Sequence, residues 1–128
     1  MLEKRIMFAI TMLAICILAG AFGQISWKHA MSNMEKIEDI DGLLSLDTLL
    51  NIITNKFIIL GLLLYGLAFF LWLSAMSTLD ISFMYPMLSL AYVLTAILAF
   101  VFLGEEVTLI RWTGIVLVMM GCILIMRS

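Results

Sequence analysis

"IMFAITMLAICILAGAFGQISWKH", residues 6 to 29, carries no charged side chain until Lys28. A membrane-spanning helix needs about 20 predominantly apolar residues, because the hydrocarbon core is roughly 30 Å thick and each residue rises about 1.5 Å. Residues 6–27 meet that length. Yet Gly20, Gly23, Gln24 and Lys28 occupy the last turns of the run. A polar atom placed in hydrocarbon costs free energy unless something satisfies it. The stretch therefore decides the class of fold and raises the question of function.

Working outward, three more runs of the same kind follow at 57–77, 81–103 and 108–126. Of the 128 residues, 65% are hydrophobic and only 12% charged, against about half and a quarter in a soluble domain. The four runs leave no room for a soluble domain. Residues 1–128 are expected to form one all-α integral membrane domain with four transmembrane helices. A β-barrel would alternate polar and apolar residues, and these runs do not. Lys4 and Arg5, the apolar residues after them, and Ala19, Gly20 and Ala21 also fit the outline of a signal peptide. The apolar stretch continues past that point to Trp27, which suits a span better.

Orientation is weakly encoded. Four spans place Lys4, Arg5 and Arg127 on one side and Lys28, Lys36, Lys56 and Arg111 on the other. Such balance gives the positive-inside rule little to act on.

The connection from Lys28 to Lys56 is the only long one. Its first half, "MSNMEKIEDIDG", is acidic and reads as irregular. In the second half Leu43, Leu46, Leu50, Ile53 and Phe57 step by three and four, an amphipathic period. An interfacial helix over about 44–55 is expected, with Asp47 favourable in its first turn. It either lies on the surface as a lead-in or gates a cavity. The remaining connections are short, so spans one and three should end where spans two and four begin. That face gathers Trp27, Lys28, His29, Glu105, Glu106, Arg111 and Trp112.

Cys16, Gly20, Gln24 and Lys28 are four apart and form one drifting stripe at about 100° per residue. The stripe is small or polar and should face protein or water rather than lipid. Lys28 can snorkel to the headgroups, but Gln24 is a turn deeper and needs a partner. The stripe either lines a pathway or packs a helix. In the third span Pro86 removes a backbone donor and crowds the Ser82 carbonyl, so a kink is expected. Tyr85, Ser89 and Tyr92 share a face there, either lining a substrate path or anchoring the helix. In the fourth span Gly114 and Gly121 lie seven apart and permit close approach of another helix. Both cysteines fall within spans and read as packing residues. No catalytic constellation, metal-ligand set or phosphate loop appears, so no enzyme and no cofactor is expected.

Several segments together resemble the EamA-type drug/metabolite transporter superfamily. "YPMLSLAYVLTAILAFVFLGEEVTLIRWTGIVLVMMGCILIM", residues 85 to 126, is similar to its last two helices, and "GQISWKHAM" to the first-helix ending of its four-helix members. One four-helix branch, the small multidrug resistance family, exports cations through a first-helix glutamate. Gly20 stands at that position here, which puts proton-coupled cation export in doubt. "MYPMLSL" and the "GQ…K" ending are closer to aminoarabinose–undecaprenyl phosphate flippase subunits. That resemblance implies a transporter subunit in the inner membrane that flips a lipid-linked sugar phosphate. Gln24, Lys28, Tyr85, Ser89 and Tyr92 would contact the polyprenyl-phosphate lipid, with Lys28 supplying a cation for the phosphate or pairing with Glu105 or Glu106. A dimer through Gly114 and Gly121 is implied, with a second copy or a similar four-helix chain. A cation or metabolite exporter and a non-transporting scaffold are the alternatives.

Overall fold

A computed structural model describes all 128 residues. The chain is helical throughout its ordered elements: α1 (Leu2–Ser32), α2 (Ile40–Leu44), α3 (Leu46–Thr54), α4 (Lys56–Met76), α5 (Ile81–Met87), α6 (Ser89–Phe102) and α7 (Leu109–Arg127). Four stretches are long and apolar enough to cross a membrane: α1, α4, α5 with α6, and α7. The fold is thus an all-α, four-span membrane domain with an amphipathic helix, α3, between the first and second spans.

α1 is longer than its apolar run. Its 31 residues extend about 46 Å, so it projects beyond a hydrocarbon core of about 30 Å. The acidic connection is correspondingly less irregular than its composition implies. Helix continues to Ser32, and a short α2 forms at Ile40, where the Asp39 carboxylate accepts the Gly42 N–H at 2.6 Å. α3 begins one residue after Ser45, whose hydroxyl accepts the Thr48 N–H. Asn55 ends α3 and caps α4, its Oδ1 accepting the Phe57 N–H at 2.9 Å. These caps place α3 directly ahead of the second span.

α1 packs most extensively against α4, through small residues. A Cβ on Gly23 would lie 2.9 Å from the Tyr65 ring and 3.3 Å from the Gly61 carbonyl oxygen, and one on Gly61 would collide with the Trp27 indole. The two glycines let the helices approach where the apolar runs alone give no directional preference. Ser26 donates to the Phe57 carbonyl at 2.6 Å and Trp27 Nε1 to the Ile58 carbonyl at 3.0 Å, tying the end of α1 to the start of α4. Toward the other end, Leu13, Ile17, Ala75, Met84, Met87, Ala91 and Cys122 form the larger apolar cluster.

The third span is divided just after Pro86 into α5 and α6, with Leu88 between them. The Leu88 N–H is shared between the Met84 and Tyr85 carbonyls, and the Ala91 N–H bonds the Leu88 carbonyl three residues back, so the turn after Pro86 is tightened. Cys122, the one buried residue of α7, lies with Sγ 3.7 Å from the Pro86 carbonyl oxygen. α7 therefore rests lightly on the other spans and turns most of its apolar surface outward. Gly104 ends the third span in the left-handed region at φ +67°, and the Glu105 N–H turns back to the Ala99 carbonyl at 3.3 Å.

Candidate functional site

The first-helix stripe faces inward. Cys16, Gly20 and Gln24 line a cavity of about 580 Å³ together with Tyr65 and Ala68 of α4 and Tyr92, Thr95, Ala96 and Ala99 of α6. That volume lies within the range of small-molecule sites, about 300–1,000 Å³. Gly20 contributes space: no atom lies within 4 Å of where its Cβ would be. Cys16 packs on α4, its thiol donating to the Ala68 carbonyl at 3.3 Å.

Gln24 finds its partner across the helix pair, its Nε2 donating to the Tyr65 hydroxyl at 2.5 Å. Tyr65 is held in turn by the Trp27 ring, stacked at 4.6 Å with the planes 16° apart. Trp27 is fixed by its bond to Ile58, so amide, phenol and indole form one braced unit.

Charge enters at one end. Glu105 is the only charged residue lining the cavity. Its Oε1 lies 4.0 Å from Lys28 Nζ, with the side chains 43% and 59% exposed. A pair so long and so exposed contributes about 0–1 kcal/mol. The Gly104 turn selects Glu105 over Glu106, whose side chain is outside the cavity and whose backbone carbonyl accepts from Arg111 Nη1 at 3.5 Å.

The other candidate residues divide. Tyr92 lines the cavity and also a second groove of about 460 Å³ between α6 and α7, shared with Ser89, Glu105, Arg111 and Gly114. Tyr85 does not join them. It lies in α5, on the far side of Leu88, edge-on to Trp72 at 5.7 Å. Gly114 and Gly121 have no atom within 4 Å of an added Cβ, and Gly114 faces the α6–α7 groove. Tyr65 was missed in the sequence. Gly61, Tyr65 and Ala68 stand at i, i+4 and i+7, the same small-and-polar spacing that marks the first span, inside an otherwise bulky helix. No cluster of metal-ligating side chains is present.

Comparison with known proteins agrees with this architecture. The EamA-like transporter family matches residues 1–127. A probable 4-amino-4-deoxy-L-arabinose-phosphoundecaprenol flippase subunit ArnE from Yersinia pestis (strain Pestoides F) is 36% identical over 72 residues, covering 56% of this chain and 63% of the relative. The protein of the same description from Pectobacterium atrosepticum is 36% identical over 69 residues, covering 54% and 61%. The similarity thus spans less than two thirds of these curated relatives' length. No solved structure matches. With four apolar spans in place and the family pattern running through nearly all of them, this chain belongs to the EamA-like transporter family.

Proposed function

We propose that this chain is one subunit of an inner-membrane flippase for a lipid-linked sugar phosphate, with residues 1–128 acting as a single transporter domain. The observation that carries the reading is the cavity between α1, α4 and α6, polar at one end and apolar along its walls. A polyprenyl phosphoglycolipid has the same division, a charged head on an apolar tail. Gln24 and Tyr92, which line the cavity, are suited to hydrogen-bond the head, Ser89 to meet it from the adjoining α6–α7 groove, and Lys28, beside Glu105, to meet its phosphate. Tyr85 stands too far along the span to share that contact and would meet the lipid tail. The names of the curated relatives support the same substrate class. The partner is a second copy or a similar four-helix chain, seated on the open face of α7 at Gly114 and Gly121.

A second reading, export of a small organic cation, draws on Glu105 as the only charge lining the cavity. Against it, the only carboxylate in a span is Glu3 in the first turn of α1, outside the apolar run, and Gly20 stands where the multidrug branch has its acid. Mass spectrometry of lipids retained by the purified protein separates the two. A retained polyprenyl phosphoglycolipid supports the flippase. Its absence, together with resistance to lipophilic cations in expressing cells, supports the exporter.

A further inference from the structure

A second, more polar cavity of about 650 Å³ opens between the polar side of α3 and the loop at residues 33–37. Asn33 and Glu35 line it from the loop, and Asp47, Thr48 and Asn51 from α3. Its chemistry is specific. Amides, hydroxyls and two carboxylates line it, and no base does. The Thr48 hydroxyl is bonded to Ser45, and Asn55 caps α4, which leaves Glu35, Asp47 and Asn51 free to meet a ligand. Such a lining repels a phosphate and suits a polyhydroxyl group, whose O–H groups donate to carboxylates and accept from amides.

Its position matches that chemistry. The opposite side of α3 exposes Leu46, Leu50 and Ile53, at 71%, 49% and 66%. An amphipathic helix at the membrane surface buries such a side among the acyl chains and turns its polar side to water. The basin then opens above the headgroups, at the end of the bundle that carries Lys28. From Lys28 to Asn33, the residue that caps α1, is five residues, an axial rise of about 7.5 Å with about 140° of rotation. A phosphate held at Lys28 would place an attached sugar within reach of the basin.

We infer that this basin is a binding subsite for the sugar of the lipid-linked glycosyl phosphate, separate from the phosphate contact at Lys28. The inference rests on the flippase reading above. The test uses the full chain in lipid nanodiscs with two probes, undecaprenyl phosphate and its 4-amino-4-deoxy-L-arabinosyl derivative. Wild-type protein should prefer the glycosylated lipid by about tenfold, the equivalent of one or two net hydrogen bonds. Asn51→Ala and Asp47→Asn alter exposed side chains without internal partners, so the fold should survive, as a thermal melt can verify. Each should reduce the preference to within about twofold and leave affinity for undecaprenyl phosphate unchanged. An undiminished preference in both variants overturns the basin. So does equal binding of the two lipids by the wild type, in which case the flippase reading stands without it. Binding of neither lipid by the wild type overturns the flippase reading, and the basin with it.

Discussion

Replacing Lys28 by glutamine separates a substrate contact from a structural one, because the geometry assigns the two roles different magnitudes. The Lys28–Glu105 pair is 4.0 Å long and more than two fifths exposed on both sides. Its loss should lower fold stability by no more than about 1 kcal/mol. A charge-assisted hydrogen bond to phosphate is worth roughly 1.5–3 kcal/mol. Losing that bond weakens binding by about 10- to 100-fold. Lys28→Gln should therefore fold and insert normally while transport of a labelled polyprenyl phosphoglycolipid, measured in proteoliposomes at sub-saturating lipid, falls by about that factor. Lys28→Arg should retain part of the activity, since charge survives but the donor geometry changes. Glu105→Gln should leave phosphate binding intact or improve it, because the lysine loses a competitor. Two results refute the reasoning. One is a folded Lys28→Gln protein with undiminished transport, which leaves a lysine that only snorkels. The other is a Lys28→Gln protein that unfolds and is rescued by Glu105→Gln, which makes the pair structural.

Other expectations follow from particular contacts. Gly61→Val puts branched bulk against the Trp27 indole and should destabilise the protein by about 1–3 kcal/mol, read from the melting temperature and a shift in tryptophan fluorescence. Normal stability would show that α1 and α4 are not closely packed there. Gly114→Leu combined with Gly121→Leu should weaken self-association or pairing, measured by single-molecule photobleaching in bilayers. The chain itself should stay folded, because neither position is crowded within it. Unchanged association would remove α7 as the interface. Finally, no carboxylate lies within the apolar run of a span, so collapsing the pH gradient across proteoliposomes should leave flipping unchanged. Strongly proton-linked transport would favour the cation-exporter reading instead.

The spans were legible in the sequence because the bilayer imposes a one-dimensional rule: about 20 apolar residues, wherever they later pack. The periodic features were legible for a related reason. Cys16, Gly20 and Gln24 share a face of α1 whatever surrounds them, and the leucines of α3 share another. Even the break after Pro86 follows from local backbone chemistry. Partner choice was not legible, because it depends on how each helix is rotated and how far its neighbour slides along it. Tyr65 became the partner of Gln24 only because Gly23 and Gly61 bring α1 against α4 in one register. Tyr85, on one face with Tyr92 by periodicity, stands about two turns earlier along the span and meets Trp72 instead of the cavity. Glu105 rather than Glu106 met Lys28 because the left-handed residue before it sends the chain back toward Ala99. Periodicity specifies which side of a helix is special, and only the packing of helix on helix decides what that side meets.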